Sequence, residues 1–286
     1  MEKTCDANYL LLNPSLRCQP FEEKKKEYTE FRENLETYMK NELSNSGIQD
    51  IAIYFRDLEN GPWFGINEQA LFSPASMLKL PLLIAYLKKA ETEPGILMQE
   101  IAIDGSGGGS KAEGSLEPEK TYTIDDLFRR MIVESDNDPL SILFSYLQQF
   151  YPDEDVFSET LAAMGVAKSE GTEEDFLTVK RYASFYRALY NASFLSKETS
   201  ERALHLLTLT ESPQGIDDGV PSGIRVAHKF GIREREGSVQ HHDCGIVYEP
   251  SNPYLLCIMT RGSNAASLAS VIQEISRMVY TESSVS

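Results

Sequence analysis

Three short runs carry the side chains that could do chemistry. Phe72-Ser73-Pro74-Ala75-Ser76-Met77-Leu78-Lys79-Leu80-Pro81 places a lysine three residues after a serine. On a helix that begins near Ser76, the two share a face, one turn apart. A serine hydroxyl is a weak nucleophile until a base takes its proton. A lysine can be that base when its neighbours depress its pKa. Chance alone produces roughly one Ser-x-x-Lys in a chain of this size, so its partners must decide. Glu134-Ser135-Asp136-Asn137-Asp138 supplies a rarer Ser-Asp-Asn triplet, with roughly 0.04 expected per chain from average usage. Ala227-His228-Lys229-Phe230-Gly231 adds a second lysine on an apolar stretch. Two lysines brought together raise each other's cost of being charged, so one can run as a base at neutral pH.

The periodicity says which elements must hold these runs. Tyr28, Phe31, Leu35, Tyr38, Met39 and Leu43 recur at three and four, predicting a helix over Glu22 to Leu43. Ile51 to Phe55 and Trp63 to Ile66 read as a hairpin about the Glu59-Asn60-Gly61-Pro62 turn. The Ser76 helix runs to about Ala90. Glu91 to Lys120 reads as loop, and its Gly105-Ser106-Gly107-Gly108-Gly109 run lacks the context of a phosphate-binding loop. Helices follow over Ile124 to Val133 and at roughly 138–150, 156–164, 175–190 and 197–208. The period then turns strand-like over Arg225 to Ile232, Cys244 to Tyr248 and Tyr254 to Thr260. A last helix carries Leu268, Val271, Ile272, Ile275 and Val279 on one face.

This order predicts an α+β protein of two lobes: an antiparallel sheet flanked by the N- and C-terminal helices, and an all-helical lobe. The expected boundaries are an irregular lead at 1–21, an α/β lobe from 22–72 and 213–286, and a helical lobe at 73–212. Together they make one domain.

Composition excludes several function classes. The chain has 286 residues and a formal net charge of −17. That charge argues against nucleic acid and anionic membrane surfaces as partners. No apolar run has transmembrane length, and Tyr9-Leu10-Leu11-Leu12 is too short for a signal-peptide core. The four cysteines fall in two local pairs, Cys5 with Cys18 and Cys244 with Cys257, which are candidate disulfides, with four reduced, buried thiols as the alternative; disulfides would suit an extracytoplasmic, periplasmic or cell-surface setting. The export segment is then absent from this chain. No His or Cys spacing suggests a metal, and no cofactor is expected. The chain is expected to act as a monomer.

Taken in order, Ser76-Met77-Leu78-Lys79, Ser135-Asp136-Asn137 and Lys229-Phe230-Gly231 resemble the motif set of the penicillin-recognising serine hydrolases, above all the class A β-lactamase family. The resemblance implies roles. Ser76 is acylated, Lys79 is its base, and Ser135 relays a proton to the leaving nitrogen. Asn137 holds Lys79 and the substrate amide, and Lys229 supplies positive potential. The backbone N–H groups of Ser76 and Ile232 form the oxyanion hole, and Phe230, Gly231 and Arg233 line the substrate site. Implied substrates are small molecules, either a β-lactam or an acyl-peptide.

Two departures bear on activity. Phe230 stands where the family has a threonine or serine that helps bind a substrate carboxylate. The acid that activates the deacylating water has its nearest counterpart in Glu174-Asp175-Phe176-Leu177-Thr178, without the family's asparagine and with little room for the loop that should follow. Glu174 is therefore a weak candidate for that base, and deacylation is expected to be slow. The competing readings are a penicillin-binding or sensor domain that is acylated without turnover, and a D,D-peptidase-like cell-wall enzyme. His205, His228, His241 and His242 offer no Ser-His-Asp order.

Overall fold

A computed structural model describes residues 9–14, 28–45, 47–59, 61–103, 116–166, 174–212 and 214–284. Cys5, Cys18 and the glycine run at 105–109 lie outside the described residues. Among the described residues, eight α-helices and a five-stranded antiparallel sheet give the two-lobed α+β architecture expected from the periodicity.

The sheet is built from both ends of the chain. β1 (Ile48–Asp57) and β2 (Trp63–Ile66) form the first hairpin, with Phe55 opposite Phe64. β5 (Val226–Arg235), β6 (Ser238–Val247) and β7 (Tyr254–Gly262) complete the order β2-β1-β7-β6-β5. β1 meets β7 in the middle, which fuses the two terminal segments into one sheet. On one face lie α1 (Thr29–Asn45) and α8 (Ala265–Ser284). Their apolar stripes, including Phe31, Leu35 and Met39 on α1 and Leu268, Ile272 and Ile275 on α8, pack on Ile53, Phe55, Leu256 and Ile258. Each such aliphatic side chain removed from water contributes about 1.5–3 kcal/mol.

The other face carries the helical lobe: α2 (Lys79–Ala90), α3 (Ile124–Val133), α4 (Asp138–Phe150), α5 (Val156–Ala163), α6 (Val179–Tyr190) and α7 (Lys197–Leu207). α2 is buried on nearly every side, in keeping with Leu80, Leu82, Leu83 and Ile84. Local chemistry sets the helix starts. Thr123 and Asp126 form a capping box on α3, while Thr178 and Ser196 cap α6 and α7. Among the described residues no helix is long and apolar enough to cross a membrane.

Three local readings are corrected. Ser76 lies not in the α-helix but in a 3-10 turn, Ala75–Leu78, which leads into α2. Part of the segment read as loop is a small two-stranded sheet, in which β3 (Glu100–Ala102) pairs with β4 (Thr121–Thr123). β5 and β6 extend well beyond Ile232 and begin well before Cys244, meeting at a tight turn with Glu236 and Gly237 at positive φ. Arg233-Glu234-Arg235 and Gln240-His241-His242-Asp243 have no apolar alternation. Those β6 residues are nonetheless buried, and the side chains of Gln240, His242 and Asp243 find partners inside the protein. Cys244 and Cys257, directly opposite on β6 and β7, form a disulfide.

Candidate active site

The seam between the lobes collects the three runs. The Ala75–Leu78 turn presents Ser76 half-buried, with the lysine that follows it wholly buried at the start of α2. Lys79 Nζ donates to the Ser135 carbonyl at 2.5 Å and to Asn137 Oδ1 at 2.8 Å, and lies 3.2 Å from Ser135 Oγ. From the sheet side, Lys229 Nζ donates to the same Ser135 Oγ at 2.9 Å. One hydroxyl therefore stands between two buried amines.

Ser135 reaches that place because the turn between α3 and α4 is sharp. Its φ is +55°, a left-handed conformation that short polar residues tolerate best. Asp136 accepts from the Asp138 N–H, and Asn137 precedes a helix with Pro139 at its start. The triplet is thus both a helix-terminal turn and the mount for two side chains facing Lys79.

Burial alters the lysines. Desolvation lowers Lys79 to about 8, with the charge of Asp136 pulling the other way. Desolvation lowers Lys229 to about 7, and the neighbouring Lys79 pushes in the same direction. Close to neutrality, the pair therefore holds a free amine beside the hydroxyl groups.

β5 is an edge strand of the sheet. The His228 carbonyl accepts from Thr210 Oγ1 outside the sheet, whereas Arg225 at odd register bonds to Tyr248 across the hairpin. Two-residue alternation then turns the Ile232 N–H toward the same open edge. Gly231 lies against the serine turn. A Cβ there would come within 3.0 Å of Met77 Cγ and 3.1 Å of the Pro74 oxygen, so the strand approaches the turn only because this residue lacks one. Phe230 is nearly buried, with Lys229 Nζ 4.1 Å from its ring centroid.

Glu174 is an exposed carboxylate whose oxygens are both taken, Oε2 by Arg233 and Oε1 by Arg235. These bonds hold its pKa below the usual range. It lines a cleft of about 710 Å³ with Asp175, Arg233, Arg235, Gln240 and Arg261. Arg233 also donates to Ser73 Oγ at 2.7 Å. Sequence reasoning missed Gln240, His242 and Tyr182, all of which touch the segment around Ser76 from distant positions. No local signal marks them.

One further group could hold a cation. Asp217, His228 and Asp243 bring ligand-type atoms within 4.8 Å of one another. Protein partners engage much of it: His228 Nδ1 lies 3.0 Å from Asp243 Oδ2, which also accepts from the Ile216 N–H. Burial lowers the imidazole's pKa, but the two carboxylates outweigh it and raise the net value. The cluster lies behind Lys229, since His228 and Lys229 alternate to opposite faces of β5.

Solved structures share this fold. PBP-A aligns at TM-score 0.72 and 20% identity, covering 87% of this chain and 95% of its own. A point mutant of PBP-A is described as an acyl-enzyme complex with penicillin G. The TLA-3 extended-spectrum beta-lactamase aligns at TM-score 0.77 and 17% identity, covering 88% of this chain and 99% of that one. A representative of class A beta-lactamase from Bacteroides cellulosilyticus gives 0.76 and 19%, over 89% and 98%. At these identities the likeness shows the fold. No curated protein matches the chain in sequence. The family model for the beta-lactamase enzyme family matches residues 34–283, nearly the full length. The chain therefore belongs to the beta-lactamase enzyme family.

Proposed function

We propose that this protein is a serine acyl-hydrolase that opens an amide, in a β-lactam or a small acyl-peptide, through an acyl-Ser76 intermediate. Family and fold support a serine hydrolase of the class A type. The observation that carries the finer reading is the Ser135 hydroxyl held between Lys79 and Lys229, both buried and both with lowered pKa.

In this reading Lys79, as a free amine, takes the Ser76 proton as Oγ attacks the carbonyl carbon. Charge collects on the carbonyl oxygen, which the N–H groups of Ser76 and Ile232 receive. Ser135 accepts from Lys229, so its own proton is free to pass to the leaving nitrogen, and Lys79 restores it. Asn137 orients Lys79 and has amide hydrogens to offer the substrate. Release needs an activated water. Glu174 is a poor base for that step, because two guanidinium groups occupy its carboxylate and lower its basicity. The ester on Ser76 therefore hydrolyses slowly, through Lys79 and Ser135.

Phe230 and the engaged Glu174 favour a second reading, in which acylation itself is the signal and the protein serves as a penicillin-binding sensor. The disulfide suits an extracytoplasmic setting for either. The test is a Ser76→Ala variant incubated with a penicillin: the covalent adduct should vanish, and an adduct that survives would overturn the assignment.

A further inference from the structure

We propose that Gln240 and His242 are positioning residues for the nucleophile. With Arg233 they hold every polar group of Ser73 and keep the strained turn after it in its reactive shape. The proposal rests on the reading of Ser76 as the nucleophile.

Ser73 is 4% exposed, and each of its polar groups has a partner on the β5–β6 hairpin. Its N–H donates to Gln240 Oε1 at 2.9 Å. Its carbonyl lies 3.0 Å from His242 Nε2, and its hydroxyl accepts from Arg233 at 2.7 Å. The three side chains form one row, because Arg233 is opposite Gln240 and Gly231 is opposite His242. Gly231 opens the space that the turn fills, while its neighbours grip the residue that enters it.

The grip is needed because Ala75 has φ +47°. A residue with a Cβ does not hold the left-handed region unaided, and persists there only when its surroundings over-determine it. Pro74 fixes the φ before it, and the Met77 N–H closes on the Pro74 carbonyl. Tyr182 holds the Met77 carbonyl from below at 2.9 Å. Ser73 is the upstream anchor of the same turn.

His242 is suited to a constant role. The Thr260 N–H approaches its Nδ1 at 3.3 Å, so Nε2 bears the hydrogen and donates to Ser73. Full burial pushes its pKa down to about 3, which keeps the ring neutral at working pH. Gln240 is oriented in turn. Its Nε2 donates to Asp175, whose other oxygen accepts from Arg261, and Arg261 holds the Leu71 carbonyl. The segment is thereby tied to the sheet at Leu71 and again at Ser73, while the Phe72 backbone between them pairs with Leu177.

The experiment compares Gln240→Met, His242→Leu and His242→Gln with the wild type. Two readouts are taken on folded protein: the acylation rate constant of Ser76 with benzylpenicillin or a fluorophosphonate, and amide exchange over residues 72–78. Gln240→Met and His242→Leu should slow acylation at saturation by about tenfold to a hundredfold with little change in apparent Kd. The Ser73 to Met77 amides should exchange at least about tenfold faster. His242→Gln retains an N–H near the Nε2 position and should recover most of the rate. Should His242→Leu not fold, Gln240→Met alone decides. Acylation within about twofold of wild type, unchanged protection, or no rescue by glutamine would each overturn the proposal. If neither probe labels the wild type, the nucleophile reading fails. Exchange over 72–78 and the φ of Ala75 in a variant crystal structure then still judge the clamp.

Discussion

In the proposed reaction, the buried lysine pair makes acylation of Ser76 depend on pH in a way an ordinary lysine would not. At pH 7 an amine with a pKa near 10.5 is free in about three molecules per ten thousand. Lowering Lys79 to about 8 raises that fraction to roughly one in ten, about a 300-fold gain in competent base. Lys229, lowered to about 7, trades protons with Lys79 across Ser135, so the observed inflexions belong to the pair. The acylation rate constant, measured by stopped-flow with a chromogenic β-lactam or by labelling with a fluorophosphonate, should rise about tenfold per pH unit below pH 7. It should level off by about pH 9. Lys229→Met leaves in place the burial that depresses Lys79, so a single inflexion near pH 8 should survive in that variant. A rate that climbs with unit slope through pH 10 would mean that Lys79 behaves as an ordinary lysine. A flat profile from pH 5 to 9 would remove a lysine base from the reaction altogether.

Three further outcomes follow. Lys229 titrates lower in the folded than in the unfolded chain, so its burial destabilises the protein fully below about pH 7 and progressively less as pH rises toward 10.5. Lys229→Met should therefore raise the melting temperature at pH 6, equivalent to a few kcal/mol, and flatten its rise with pH; a lower Tm at pH 6 would contradict this. Glu174→Gln should change the lifetime of the acyl-enzyme less than about twofold, as followed by intact mass, and a tenfold lengthening would restore Glu174 as the deacylation base. Gly231→Ala sets a methyl 3.0–3.2 Å from Met77 and Pro74, so it should slow acylation at least about tenfold while costing about 1–3 kcal/mol in denaturant unfolding. Unchanged acylation would show that the strand and the serine turn can move apart.

The parts of the site that were legible in the sequence are those whose chemistry is local. Ser76 and Lys79 sit within one turn of chain, and Ser135 and Asn137 flank Asp136 in a sharp turn whose left-handed start aims both at Lys79. Lys229 was legible through its apolar strand and the glycine two residues on, whose purpose only the packing reveals: Gly231 makes room for Met77. The helical lobe was readable because α3, α6 and α7 keep a 3.6-residue apolar period, while α2 is a continuous apolar run. The polar half of the β5–β6 hairpin was not. Gln240, His241, His242 and Asp243 resemble an exposed turn by composition, yet they are buried, and the partners of Gln240, His242 and Asp243 lie far away in the chain. Gln240 and Ser73 are 167 positions apart, and no window over the sequence can join them. Glu174 illustrates the same limit. Its partial match to the family pattern left it a weak candidate for the deacylation base, and the arginines that engage it, Arg233 and Arg235, follow long after it in the chain.

The central claim, an ester on Ser76 that forms readily and hydrolyses slowly, is tested most directly by the intact mass of the protein over time after mixing with benzylpenicillin. The account predicts an added mass of one intact penicillin that persists for many minutes, maps to Ser76, and is absent from Ser76→Ala. An adduct that maps elsewhere or survives Ser76→Ala would contradict it. So would the absence of any adduct with both benzylpenicillin and a broad fluorophosphonate probe.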